Sequence, residues 1–359
     1  MGRAALATLS TQNLLHNLAV IKQQAPRAKI IAMIKANAYG HGLRSTGLRL
    51  EPHVASLGVA SIDEAQALRK VGIKIPITLM EGVFEPQELT IAAQENFHVV
   101  FHDGVQLQWI EEIDLSSPIF AWLKIDTGMG RLGFSPEAAT LAYEKLSRNK
   151  NIQQPVGIMS HFACADEKAH SLNQYQIDQF RSFIADKPGA KSLSNSAGIF
   201  FFDEVQYDFV RPGLALYGVS PLQNKTAGEL GLKPVMTLKT QLMAVRKAAK
   251  NSSIGYGARY ICPEDMPIGV IALGYGDGYP RSIKDGAPVL INGIRCPIIG
   301  RVSMDMITID LRPHPQAKVH DQVILWGEGL PIEDVAQYTN QCVYDMLTAV
   351  QARVKFVWT

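Results

Sequence analysis

Two lysines, two arginines and a histidine are spaced so that they could share one reactive surface. Lys35 ends the apolar run 30–34 and leads into Ala-Asn-Ala-Tyr-Gly-His-Gly42. Lys124 and Asp126 end a second run, followed by Thr-Gly-Met-Gly-Arg131. Ser160 and His161 end a third, Ser194-Asn-Ser-Ala-Gly198 follows a fourth, and Arg211-Pro-Gly213-Leu214 comes next. A lysine whose stem starts inside an apolar core loses proton affinity by desolvation and becomes a nucleophilic amine. Such an amine can form a Schiff base with a carbonyl compound. The plain alternative is that these lysines point outward and only solvate the surface. The stretch 194–198 reads as a strand-to-helix turn of hydroxyls and small residues, the kind of backbone that holds phosphate. Residues 211–214 could add backbone donors. A nucleophilic lysine beside a phosphate site points to pyridoxal phosphate.

These residues need a scaffold that brings strand ends together. Short apolar runs recur near 29–35, 56–60, 76–81, 97–102, 119–126, 156–161, 191–195 and 213–217, with amphipathic helical stretches between them. Ser61 and Glu64 read as a capping box, and Ser135-Pro136-Glu137 as another helix start. Strands alternating with helices imply parallel βα units, and eight of them imply a (β/α)8 TIM-type barrel over residues 1–230, with a doubly wound open sheet as the alternative. In a barrel, chemistry gathers at the C-terminal ends of the strands, where the residues named above would stand. From about residue 231 the rhythm changes to short strands, with Asn292-Gly293 marking a type I′ hairpin. Residues 231–359 therefore read as a smaller β-rich domain, with the boundary near 228–233.

Composition narrows the classes of function. The 359 residues carry 35 Lys and Arg against 33 Asp and Glu, a net +2, which argues against a nucleic-acid binder. The four cysteines, Cys164, Cys262, Cys296 and Cys342, form no metal-ligand spacing and fit a reduced compartment. The N-terminal apolar run is shorter than the ~7–15 residues of a secretory leader. No run approaches the ~20 residues that span a bilayer. The expectation is a soluble, cytoplasmic protein with no membrane partner.

The segment 35–42 resembles the pyridoxal-phosphate attachment motif of bacterial alanine racemases. Segments 124–133, 160–163, 210–213, 255–257, 274–279, 300–305 and 325–327 are similar to further blocks of that family, in the same order, from about residue 8 to the end. The resemblance implies an N-terminal barrel, a C-terminal β domain, and a homodimer whose active sites combine one barrel with the partner's β domain. It implies racemisation of L- and D-alanine, supplying D-alanine for peptidoglycan. Lys35 would carry the cofactor and act as base for D-alanine. Tyr256, from the other subunit, would be the base for L-alanine. A free tyrosine has a pKa of about 10, so it needs help near neutrality; in the family, residues matching His161 and Arg211 supply it. Arg211 would also face the pyridine nitrogen. Tyr39, Ser196, Gly213 and Leu214 match phosphate contacts. Arg131 and the backbone of Met304 match the substrate carboxylate site. Lys124 matches a lysine that is commonly carbamylated, and Tyr275 a tyrosine on the substrate path.

One departure concerns specificity. Many family members carry a tyrosine where this chain has Ala352, which opens a racemase of broader specificity as an alternative to one strict for alanine. A non-catalytic pyridoxal-phosphate carrier is the alternative from another class, although carriers resemble the barrel alone. Gly128-Met-Gly-Arg-Leu-Gly133 fits a dinucleotide pattern but follows the fifth strand rather than the first. His98 and His102 lie on a predicted strand and share no helix face. Tyr217 and Tyr279 read as packing residues.

Overall fold

The computed structural model describes residues 4–359. The chain divides into two compact units. One comprises Leu18–Leu216 with Pro221–Lys225; the other comprises Tyr217–Ser220 and Thr226–Thr359 together with the N-terminal segment through Asn17.

The first unit is built on eight parallel strands: β2 (Lys29–Met33), β3 (Ser56–Val59), β4 (Ile77–Leu79), β5 (Phe97–Phe101), β6 (Ile119–Lys124), β7 (Ile152–Met159), β8 (Lys191–Ser192) and β9 (Phe209–Val210). Each pairs with the next from β2 to β8, and β2 also pairs with β9. The remaining seam, between β8 and β9, is joined just past the strand ends, where the Arg211 N–H donates to Ser194 O at 2.9 Å. The interior holds Ile31, Met33, Val100, Trp122 and Met159. Trp122 fits there because its neighbour on β7 is Gly157, whose Cβ would lie 2.6 Å from the indole ring.

The rhythm of apolar runs locates seven of these strands. The eighth differs. The run 213–217 is not a strand but a 3-10 turn, Leu214–Tyr217, and β9 lies upstream. Pro212 has no N–H to give to a ladder, so the strand stops before it. Arg211 thus follows the last strand instead of preceding it, which puts it on the same rim as the other strand-end residues.

The second unit is rich in strands. Its main sheet runs β13 (Met266–Ile271), β16 (Ile307–Asp310), β15 (Ile294–Ile299), β14 (Pro288–Ile291), β17 (Gln322–Trp326), β10 (Met236–Ala248), β1 (Leu6–Leu9) and β18 (Lys355–Trp358), and β13 also pairs with β10. Asn292 and Gly293 link β14 and β15 with φ of 49° and 84°, as the hairpin reading requires. A small pair, β11 (Ser253–Ile254) and β12 (Tyr260–Ile261), carries a 3-10 turn at Tyr256–Ala258. β1 pairs antiparallel with β10 and parallel with β18, so this N-terminal strand belongs with the strand-rich unit and not with the barrel expected over 1–230. Its alternating burial fits a slot between two other strands.

Candidate active site

β2 ends at Met33, and Lys35 opens a short turn, Lys35–Tyr39. Ala36, Asn37, Ala38 and Tyr39 all have φ between 51° and 56°, the left-handed region. Each such residue costs about 1–2 kcal/mol relative to the right-handed form. The surroundings hold the turn in place. The Asn37 N–H donates to Glu64 Oε1 at 3.3 Å, and the Leu43 N–H donates to Asn37 Oδ1 at 2.8 Å. The buried His41 donates from Nδ1 to Tyr39 O at 2.9 Å, and burial pushes its pKa down to about 4, so it stays neutral. The expected capping box does not form. Ser61 makes no cap with its side chain, and Glu64 instead accepts from the Ala60 N–H at 2.9 Å and reaches Asn37. Lys35 is therefore not buried at the end of a strand. Its side chain is 37% exposed, with Nζ 4.0 Å from Glu81 Oε1.

The buried lysine of the rim is Lys124, at the end of β6 and 7% exposed. Burial, then Arg211, Arg131 and Lys35, push its pKa down to about 8, with Glu81 opposing. The loop after it is held by Asp126, whose carboxylate accepts from the N–H groups of Gly128, Met129 and Gly130 at 2.8–3.2 Å. The apparent dinucleotide pattern is this carboxylate-anchored loop, and it presents Arg131 to solvent. At the end of β7, His161 Nδ1 lies 3.2 Å from Arg211 Nη2. Burial and the cations Arg211, Lys124, Arg131 and Lys35 hold His161 well below the usual histidine range. Nδ1 of this neutral ring accepts from Arg211, which places the proton on Nε2. Arg211 is itself buried and lowered to about 10 by desolvation, so it remains a cation at neutral pH. Its Nη atoms donate to Ser192 Oγ, Ser160 O and Leu193 O.

Ser196 and Gly213 meet beside these residues. The Gly213 N–H donates to Ser196 Oγ at 2.8 Å, and a Cβ on Gly213 would lie 2.4 Å from Tyr39 Oη. Tyr39, Ser196, Gly213 and the adjoining Leu214 are thus gathered at one place. The other expected residues lie on the strand-rich unit. Tyr256 is 69% exposed, and Met304, Tyr275 and Met306 are exposed too. The Tyr275 N–H donates to Ser303 O at 3.1 Å and the Gly276 N–H to Met304 O at 2.8 Å. Arg353 braces these two loops, pairing with the buried Asp277 at 3.0 Å and with Asp305 at 2.6 Å. Ala352, beside it, is exposed.

Family comparison agrees with this arrangement. Residues 9–221 match the model of the alanine racemase N-terminal domain and residues 235–358 that of the C-terminal domain. The chain belongs to the alanine racemase family. It is 45% identical over 353 residues, 98% of both chains, to the biosynthetic alanine racemase of Escherichia coli O6:H1. Among solved structures, the biosynthetic alanine racemase of Pseudomonas aeruginosa superposes with a TM-score of 0.96 at 39% identity over 99% of both chains. The alanine racemase of Acinetobacter baumannii gives 0.93 at 36% identity, covering 99% of this chain and 100% of that one. The protein is accordingly an isomerase.

Pyridoxal phosphate is the cofactor of alanine racemases, and the barrel residues suit it. Arg211 Nε is buried and has no hydrogen-bond acceptor among the described residues, so a ring nitrogen with a free lone pair would satisfy it. The hydroxyls of Tyr39 and Ser196 beside Gly213, a position with no side chain, suit a phosphate.

Three supporting residues were not singled out for chemistry from sequence. Glu64 reads in the sequence as half of a capping box, and nothing local signals that it accepts from the Asn37 N–H. Glu81 ends an apolar run just as Lys35 does, so the same strand-end reasoning could have found it. Gln176 lies four residues before Phe180 and seven before Phe183, which puts it on the buried face of the helix Ser171–Ile184. A glutamine on an apolar face is the signal that could have marked it.

Proposed function

We propose that the enzyme interconverts L- and D-alanine with two bases on opposite faces of the substrate, Lys35 on one and Tyr256 of the partner subunit on the other. Pyridoxal phosphate, when bound, draws electrons from the substrate α-carbon and so acidifies its proton. Lys35 is the point of attachment, and Tyr39, Ser196 and the backbone at Gly213 and Leu214 hold the phosphate. Arg211 would face the ring nitrogen and, as a cation at neutral pH, would leave it unprotonated. Arg131 and the Met304 backbone hold the substrate carboxylate, and Tyr275 lines its path. Lys124 carries a carbamate whose negative charge orients Arg131; a lowered pKa supports this, because only a neutral amine captures carbon dioxide. Lys35 Nζ removes or returns the proton on the face that handles D-alanine. Tyr256 Oη does so on the L-alanine face, with His161 Nε2–H donating to the phenolate oxygen.

The observation that carries this reading is the pairing of the buried Arg211 with a neutral, half-buried His161 on the rim that holds Lys35. A homodimer with shared active sites is supported by the exposed Tyr256, Tyr275, Met304 and Met306, since apolar side chains gathered on a surface favour a protein partner. No helix among the described residues is long and apolar enough to cross a membrane. We place the enzyme in the cytoplasm, supplying D-alanine for peptidoglycan. The test follows the α-proton of L-alanine in deuterated water by NMR and circular dichroism. Deuterium should enter alanine while the optical signal decays to zero, and Tyr256→Phe should keep the cofactor but slow both directions greatly. A cofactor-loaded protein that leaves alanine, serine and lysine untouched would make the carrier the better reading. Serine turned over as fast as alanine would assign the open Ala352 position to a broader racemase.

A further inference from the structure

Gln176 lies on the helix Ser171–Ile184, completely buried, behind the rim rather than on it. Its amide is fully used, and the directions of its bonds are fixed. Oε1 accepts from the Ala163 N–H at 2.9 Å. Nε2 donates to His161 O at 2.9 Å and to Thr127 Oγ1 at 3.2 Å. A flipped amide would set its NH2 against the Ala163 N–H, so only one orientation works. Thr127 and Ser160 extend the chain of bonds. Ser160 Oγ donates to Ile125 O at 2.9 Å, so it accepts the Thr127 hydroxyl proton at 2.8 Å. The backbone O of the same Ser160 receives Arg211 Nη2.

This one side chain therefore clamps two different loops. It grips the backbone on both sides of Phe162, which sets where His161 stands after β7. It also grips Thr127, in the loop after β6 that Asp126 anchors and that carries Arg131. We propose that Gln176 is a positioning residue that locks the proton-relay loop of His161 to the carboxylate-binding loop of Arg131. The inference rests on the roles given to His161 and Arg131 under the proposed function. A buried polar network of this kind is rigid only while every member is satisfied. Loss of the amide leaves the Ala163 N–H, His161 O and Thr127 Oγ1 to find new partners, and both loops loosen together.

The test uses the holoenzyme with Gln176→Leu, Thr127→Val and His161→Leu, with kinetics normalised to bound cofactor measured by absorbance. Gln176→Leu should lower kcat at least tenfold and raise KM for alanine at least threefold, with cofactor content unchanged. It should also increase the deuterium isotope effect with α-deuterated L-alanine and leave that with α-deuterated D-alanine unchanged, because of the two bases only the one served by His161 is disturbed. A role confined to stability would lower the melting temperature and leave both isotope effects alone. Should the leucine variant not fold, Thr127→Val removes the arm toward Arg131 together with the bond to Ser160, keeps the two bonds of Gln176 to the His161 loop, and should raise KM at least threefold with kcat little changed; an unchanged KM there overturns the clamp. Kinetics per bound cofactor equal to wild type in Gln176→Leu overturn it as well. The parallel His161→Leu separates the two ideas. If it raises the L-alanine isotope effect and Gln176→Leu does not, the clamp alone is wrong. If it leaves that isotope effect unchanged, the relay on which the inference rests is wrong.

Discussion

Lys124→Met should make the protein more stable at neutral pH and less able to bind substrate. Lys124 is almost fully enclosed, and its pKa falls from the ordinary 10.5 to about 8, chiefly by burial and then by Arg211, Arg131 and Lys35. A drop of that size corresponds to about 3 kcal/mol of penalty for the charged form. The sign follows from linkage. Below pH 8 the lysine holds its proton in both folded and unfolded chains, and the full penalty is present. Between pH 8 and 10.5 only the unfolded chain is protonated, so wild-type stability rises with pH. Above 10.5 neither is protonated, and the penalty is gone. Methionine has nearly the same shape and no charge, so the variant should melt roughly 4 °C higher than wild type near pH 7 in buffer free of carbon dioxide. That gap should close as the pH approaches 10.5. Bicarbonate should also narrow it by stabilising wild type alone, because a carbamate on Lys124 neutralises the cluster; 13C-bicarbonate should give a matching carbamate resonance. The assay is thermal unfolding of both proteins across pH 7–10, with other titrating groups cancelling in the difference. A gap that stays constant with pH would refute the reasoning.

Three further outcomes follow from the geometry. Gly213→Ala places a methyl group 2.4 Å from Tyr39 Oη, against a ring already held in a left-handed turn, and should weaken cofactor binding roughly five- to hundredfold, an overpacking cost of about 1–3 kcal/mol; equilibrium dialysis of the apoprotein would reveal it, and unchanged affinity would remove Gly213 from the phosphate cradle. Arg211→Glu would put a carboxylate where Arg211 is proposed to meet the ring nitrogen and should raise the yield of keto acid by transamination; racemisation lost with no rise in keto acid would count against the role of Arg211. Arg353→Ala takes the guanidinium from Asp277 and Asp305 and should raise KM for alanine more than it lowers kcat, because the Tyr275 and Met304 loops lose their brace; steady-state kinetics in both directions would show it.

The barrel was legible because its signal is local and repeated: an apolar run, a strand end carrying a polar residue, then a capped helix such as Pro136–Arg148, whose Ser135 side chain accepts from the Ala138 N–H. The residues at those strand ends could be read as one rim for the same reason. The features that escaped are non-local or strained. The left-handed turn after Ile34 is built from alanines, an asparagine and a tyrosine that do not ordinarily choose that conformation, and it depends on Glu64 from a separate βα unit. The run 213–217 looks like a strand in hydropathy, yet Pro212 denies it a ladder bond. The resemblance to a family supplied Tyr256 and Met304, which no spacing rule would have joined to Lys35, because they lie on a different unit of the chain.

The position of β1 dictates an order of assembly. In the strand-rich sheet it lies between β10 and β18, and its ladder to β10 joins residues more than two hundred positions apart. During synthesis at 5–20 residues per second, β1 waits roughly 10–50 s for β10 to emerge. All the strands of the barrel are made in that interval, so the barrel is in effect an insertion within the strand-rich unit. Among the described residues, β18 joins the main sheet through β1. β18 is thus seated against a strand made before the whole barrel, and a fragment of residues 231–359 would lack the ladder on which β18 docks.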